Sequence, residues 1–300
     1  MSHAPHAPSI ATLASICILT AGSRADVVEF PSGASTIELR LDSVPDQLSR
    51  DELLDWAKTA ARAVSQYYGR FPVSRVTVRV STSGRGRGIH GTTFGGRWIR
   101  MRLGPRTGKA ELDDDWVLTH EMFHLAFPEM GDAHEWMNEG LSTYLEPVAR
   151  VRIGTLPAQR VWREMAEGLP KGLPEEGDRG LDHTHTWGRT YWGGCLFWFL
   201  ADVRIRQQTR NAKSLDDALK AILDAGGDGS RRWPVDRLIE MGDRATETTV
   251  LRDLYTDMAD HPVHTDLDAL WNELGIHIES GHVTFDDHAP LAEVRERIMK

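Results

Sequence analysis

The stretch WVLTHEMFHLAFPEM, residues 116–130, constrains this chain more than any other. His120 and His124 stand four apart, with Glu121 directly after the first. Four residues is slightly more than one helical turn, so in a helix both imidazoles project from one face. The residues around them are mostly apolar, which suits a helix pressed into a core. Two imidazoles stacked in this way can bind one metal ion. Glu121 falls about 100° around the helix, near enough to touch a metal-held water without being a ligand itself. This is the H-E-x-x-H zinc pattern. Whatever the fold, it must bury such a helix and bring another ligand to it.

Catalytic zinc usually has three protein ligands and an open fourth position. Pro128 ends the first helix, so the third ligand must come from another element. A third histidine six residues beyond His124 would fall at Met130, which rules out the longer motif with three histidines. The next segment, HEWMNEGLSTYLEP (134–147), reads as a second helix. Trp136, Leu141 and Leu145 supply its apolar side, Glu139 and Glu146 lie two turns apart, and Gly140 permits close helix packing. A carboxylate from this helix can complete a His-His-Glu set. Asp132, His134 and Glu135 are the other donors within reach. Ser142 and Thr143, one turn past Glu139, are placed to hydrogen-bond a ligand.

The patterning around this junction predicts an α+β chain, with a small, mostly antiparallel sheet followed by a helical subdomain. ASTIELRLD (34–42) reads as a strand, and Ser49 with Glu52 forms a capping box that opens a helix. RVTVRVS (75–81) and RWIRMRL (97–103) alternate cleanly. The glycine-rich SGRGRGIHGTTFGG (83–96) between them reads as a turn region. Asp113, Asp114 and Asp115 are expected to open the histidine helix, where carboxylates suit the positive helix end. Further helices are expected over 135–150 and about 190–208, after Ser214, around Leu251–Met258, and from Thr265 to Gly275, with a closing hairpin at Ser280-Gly281. The expected organisation is 26–150 as a sheet subdomain with the zinc-binding helices, and 151–300 as a helical subdomain.

The net charge of −9, with no long basic run, argues against nucleic acid as a partner. Arg97, Arg100 and Arg102 read as a solvated strand face. Residues 1–25 have the order of a secretory signal peptide, with an apolar stretch and small residues Ser23 and Ala25 before the expected cut. The expected location is therefore periplasmic or secreted if that segment is a signal, and cytoplasmic otherwise. The apolar run is too short to span a membrane. Of the two cysteines, Cys17 falls in this leader, and Cys195 reads as a small core residue.

HEMFH followed by WMNEGLSTYLE resembles the gluzincin metallopeptidases, in particular the glycyl aminopeptidase-like and membrane alanyl aminopeptidase catalytic domains. The resemblance covers roughly residues 70 to 225. It implies a thermolysin-like catalytic domain, one Zn²⁺ per chain, and the glutamate of N-E-G, here Glu139, as third ligand. TYWGGCLFWFLADVRIR (190–206) is similar to the Tyr-x-x-Gly helix of those families, which implies that Tyr191 stabilises the oxyanion. Fourteen residues separate His124 from Glu139, fewer than is usual in the aminopeptidase groups. Those groups bind the substrate's free amine with a glutamate in a Gly-rich strand. The matching stretch, GIHGTTFGGRW (88–98), has no acidic residue, so exo- and endopeptidase action both stay open.

The expected reaction is zinc-dependent hydrolysis of a peptide or protein substrate by a metal-activated water. Glu121 would be the general base and Tyr191 an oxyanion donor. The strand from Gly95 to Leu103 is expected to wall the cleft. His183 and His185 are alternative donors read as loop histidines, and His90 is read as a turn histidine. Two other readings are carried beside this one. One is a non-catalytic exported binding domain on the same fold, which an intact Glu121 disfavours. The other is a zinc hydrolase of non-peptide esters or amides.

Overall fold

Alternating apolar residues in the first third of the chain build a sheet with one buried face. The computed structural model describes residues 26–300, so the signal-like segment and Cys17 lie outside the described residues. Strands β1 (Asp26–Ser32) and β2 (Ser35–Leu41) pair antiparallel. Helix α1 (Arg50–Tyr68) then carries the chain back to β3 (Arg75–Thr82), which lies parallel to β2. It begins at the expected capping box, with Glu52 N–H bonded to the Ser49 hydroxyl, and stops at Gly69. Strand β4 (Ile89–Phe94) follows, and β5 (Trp98–Leu103) inserts between β3 and β4 to give the order β1-β2-β3-β5-β4. Val76, Val78, Val80, Ile99, Met101 and Leu103 are buried, while Trp98, Arg100 and Arg102 face outward.

The α+β class is as read from the sequence, with three differences in the sheet. Its pairings are mixed, two antiparallel and two parallel: the α1 crossover returns β3 in the direction of β2, and β5 turns back from β4 to run parallel to β3. The glycine-rich stretch expected to turn contains β4, since Ile89, Thr92, Thr93 and Phe94 favour extended backbone and an edge strand tolerates one glycine. Strand β5 is therefore interior, and β4 is an edge strand, opposite the edge formed by β1.

The helices pack beside this sheet. Short α2 (Lys109–Asp114) precedes α3 (Val117–Phe123), which carries His120 and tightens into a 3₁₀ turn over His124–Ala126. Asp113 and Asp114 end α2 instead of opening the histidine helix. Asp115 alone caps it, accepting from the backbone N–H of Val117 (3.0 Å) and Leu118 (3.1 Å). The Trp56 indole also donates to Asp115 at 2.9 Å, tying the start of α3 to α1. Then come α4 (Glu135–Arg152), α5 (Ala158–Gly168), a π-helical turn (Gly188–Gly193) and α6 (Gly194–Thr209). The remaining helices are α7 (Leu215–Asp224), α8 (Val235–Thr246), α9 (Val250–Met258) and α10 (Leu267–Leu274). A hairpin of β6 (Ile276–Glu279) and β7 (His282–Phe285) turns at Ser280-Gly281, but α11 (Ala292–Ile298) follows it. One buried apolar cluster runs through the sheet and these helices, and Cys195 is part of it. No helix among the described residues is long and apolar enough to cross a membrane.

Candidate metal centre

Helix α4 lies against α3 on one side and α6 on the other, and two glycines set how closely. A Cβ on Gly140 would meet the Gly194 backbone at 2.2 Å, and one on Gly194 would meet the Trp136 carbonyl at 2.0 Å. No larger residue fits at either position, so the helices touch backbone to backbone. The Trp198 indole donates to the Met137 carbonyl at 2.8 Å, and the Tyr144 hydroxyl to buried Asp202 at 2.9 Å. These contacts fix the rotation of α4 and so the direction of Glu139.

The ligand-type atoms of His120, His124 and Glu139 lie within 4.8 Å of one another. Glu139 Oε2 stands 3.0 Å from His120 Nε2 and 3.7 Å from His124 Nε2. Tetrahedral zinc with ligand bonds of about 2.0–2.1 Å separates its ligands by roughly 3.3 Å, so this cluster has the size of such a site. His124 Nδ1 is 2.8 Å from the Asn138 amide oxygen, which can only accept; this leaves the unprotonated Nε2 for the centre. The Ser142 hydroxyl stands 3.2 Å from the same nitrogen, and Thr143 donates to the Glu139 carbonyl at 2.8 Å. Burial lowers the proton affinity of His120, which favours the neutral imidazole a metal requires. Burial pushes the Glu139 carboxyl up. The hydrogen bond from His120 and the charges of His124 and His120 outweigh that and hold it below its ordinary value. Two nitrogens, a carboxylate and a buried floor suit a zinc ion.

The other predicted residues divide between the cleft and the surface. Glu121 is buried, and the Thr93 hydroxyl lies 2.7 Å from its Oε2 and 2.8 Å from its backbone oxygen. Edge strand β4 presses on it so closely that a Cβ on Gly91 would fall 2.4 Å from Glu121 Cγ. Tyr191 sits in the π-helical turn, stacked on Trp187 at 6.0 Å and on His120 at 6.3 Å. Burial and the Glu139 charge push its phenol up, so it stays a hydrogen-bond donor. A cleft of about 780 Å³ opens over Glu121, His120, His124, Glu139 and Tyr191. Its sheet-side wall is β4, including His90, whereas from 95–103 only Gly95, Gly96 and Arg102 reach it. The expectation that residues 95–103 form the wall thus shifts to the strand before them. His134 lines the cleft, but its Nδ1 is held by Asp182 at 3.0 Å, and it stands outside the metal-sized cluster, as do Asp132 and Glu135. His183 and His185 are exposed and outside the cleft, His183 pairing with Asp260 at 2.7 Å.

Sequence reasoning missed Thr93 and Asn138. Asn138 carried a signal, as the first residue of N-E-G. Thr93 carried none, because only the tertiary pairing of β4 with α3 brings it to Glu121.

No protein-family model matches the chain, and no curated protein matches it in sequence. Solved structures do match in fold. An aminopeptidase N family protein from Idiomarina loihiensis superposes with a TM-score of 0.63 at 12% identity, covering 85% of this chain and 50% of that one. An M1 zinc metallopeptidase from Deinococcus radiodurans, in a variant form, gives 0.53 at 14% identity over 81% of this chain and 54% of that one. The same variant solved with a Tyr-Ser-Ala substrate gives the same values. The chain spans about half the length of these proteins. At such identities the likeness is one of fold alone: the α+β fold of this chain is similar to that of these M1-type zinc metallopeptidase structures.

Proposed function

We propose that the protein is a zinc metallopeptidase that hydrolyses peptide bonds, with His120, His124 and Glu139 holding one Zn²⁺. The observation that carries this is the His-His-Glu cluster, buried at His120 and half-buried at His124 and Glu139, opening into a cleft beside a carboxylate that is not part of it. Bound zinc supplies Lewis acidity, acidifying a water and polarising a carbonyl. Glu121 takes the water proton as the oxygen adds to the scissile carbonyl, and delivers it to the leaving nitrogen as the C–N bond breaks. Thr93 and the close approach of Gly91 hold that carboxylate in one place. Tyr191, kept protonated, donates to the developing oxyanion. An extended substrate would lie along the free edge of β4, whose backbone groups are open to pairing.

The test is metal analysis of the purified protein together with a peptide-library cleavage assay. Near-stoichiometric zinc and zinc-dependent cleavage are expected. Bound zinc without cleavage of any peptide or ester would remove the peptidase reading in favour of a binding domain. Cleavage of esters alone would leave a zinc hydrolase of another substrate.

A further inference from the structure

Between Trp56 and Ala110 the chain has twelve Arg and Lys residues and no Asp or Glu, so all 44 acidic residues lie outside this stretch. Folding neutralises part of it. Arg70 meets Asp224, Arg75 meets Glu38, Arg79 meets Asp42, Arg87 meets Glu111 and Lys109 meets Asp113. Arg85, Arg97, Arg100, Arg102 and Arg106 are exposed, and no ion pair engages them among the described residues. Arg102 stands on the outward face of β5, directly opposite His90 of β4, so the two share that face. Both also line the cleft. The hairpin ladder runs on past them, with the Gly104 N–H bonded to the Gly88 carbonyl and the Arg106 N–H to the Gly86 carbonyl, each at 2.8 Å. Arg85 and Arg106 thus extend the cationic surface outward from the cleft.

The other end of the cleft has the opposite charge. Gly96 closes on the backbone of Gly229, where a Cβ would fall 2.3 Å away, and the Gly229 N–H is bonded to the Leu125 carbonyl at 3.0 Å. Beside this contact Glu129, Asp132 and Glu135 line the cleft, all exposed, and Arg232 is the one cation lining that end among the described residues. A strand rises about 3.3 Å per residue, so His90 and Gly96 stand roughly 15–20 Å apart. Gly91 and Thr93, between them, touch Glu121 and so mark the point of reaction. An extended chain lying along β4 therefore crosses from cations to carboxylates. A nucleic acid carries a negative charge at every residue, and the carboxylate end would repel it. A peptide can be acidic on one side of the scissile bond alone.

We propose that Arg102 and Arg106, with Arg85 beyond them, dock an acidic segment of the substrate within about seven residues of the scissile bond, on one side of it only. The proposal rests on the peptidase reading, so its test uses binding as well as turnover. Zinc-loaded Glu121→Gln protein is titrated by calorimetry with dodecapeptides that carry a run of Glu, Gln or Lys at the amino or the carboxyl end. At one end the Glu run should bind about tenfold tighter than Gln at low salt, as expected for a few exposed ion pairs, and the Lys run more weakly than Gln. At the other end Glu should give no advantage. In 1 M salt, where the screening length is about 3 Å, the advantage should fall to within about twofold. Arg102→Glu with Arg106→Glu should abolish it and favour the Lys run instead. Lys58→Glu with Arg62→Glu makes the same change of charge on exposed positions of α1 and should leave the preference as it was. Glu and Gln bound alike at both ends, an advantage that survives salt or the β5-side reversal, or one lost equally in the α1 variant would overturn the docking site. A short oligothymidylate that binds tighter than the Glu peptides would replace it with a nucleic-acid surface. Wild-type cleavage separates the two claims. Glu and Gln peptides bound and cleaved alike overturn the docking site and keep the peptidase. One-sided Glu binding with no cleavage by the wild type keeps the site and overturns the peptidase.

Discussion

The proposed metal-holding and proton-handling halves of the centre are built in different ways. His120, His124 and Glu139 sit on two adjacent helical segments, braced by Asn138, Ser142 and Thr143 from one of those same segments. Glu121, by contrast, is held by a distant part of the chain, and Tyr191 reaches the centre from a turn outside both segments. Thr93 and Gly91 come from an edge strand some thirty residues before Glu121, and Trp187 comes from the turn that carries Tyr191. The first half is local and rigid. The second depends on how sheet and helices dock. Metal affinity and turnover should therefore be separable by mutation, and the substitutions below break that separation or sharpen it.

The largest effect is expected at the metal-holding half. His120→Ala or His124→Ala should abolish zinc binding in metal analysis, and the melting temperature should fall because native-state ligand binding contributes to stability. Stoichiometric zinc in both variants would place the site elsewhere. Glu121→Gln is nearly isosteric and should keep its zinc. It removes the group placed to accept a proton, so kcat should drop by ~10²–10⁴-fold. A variant that keeps zinc and full activity would show that another group moves the proton.

Tyr191→Phe comes next. It removes one oxyanion donor while leaving the ring stacked between Trp187 and His120. A fall in kcat of ~10²–10³-fold with little change in KM is expected. A rise in KM at constant kcat would make Tyr191 a binding residue instead.

What the sequence made legible follows the same division. Local spacing carries the two histidines, Glu121 and the N-E-G helix, because a helix converts intervals of three and four into a shared face. It likewise carries the capped start of α1 and the buried faces of β3 and β5. Where placement depends on packing across the molecule, the sequence is mute. The strand β4 is hidden in a glycine-rich run, and its position at an edge of the sheet follows only from β5 inserting beside β3. Helix α5 (AQRVWREMAEG) places Val161, Trp162 and Met165 among charges, and α8 (VDRLIEMGDRAT) buries mainly Leu238 and Ile239. Two or three apolar residues in a short charged segment give too little periodicity to announce a helix. The neighbours that make those few residues sufficient lie elsewhere in the chain. His183 and His185, read as loop histidines, are exposed and outside the cleft.

The smallest effect should come from Thr93, and it tests the division most sharply. Its hydroxyl reaches both Oε2 and the backbone oxygen of Glu121, and its single hydrogen can serve one of them at a time. When it serves the carboxylate, it fixes the rotamer of a side chain that lines the cleft. Thr93→Val keeps the volume and the β-branched shape that suit a strand, so the sheet should be undisturbed. A hydrogen bond to a charged group is worth about 1.5–3 kcal/mol, so its loss should lower kcat by about ten- to hundred-fold. Zinc content should not change, because Thr93 touches neither histidine nor Glu139. Asn138→Ala should do the reverse, weakening zinc by about ten- to hundred-fold through the orientation of His124 while sparing the kcat of the zinc-saturated protein. If Thr93→Val loses zinc, or Asn138→Ala keeps zinc affinity and loses kcat, the two halves are not independent, and the edge strand supports the metal as well as the base.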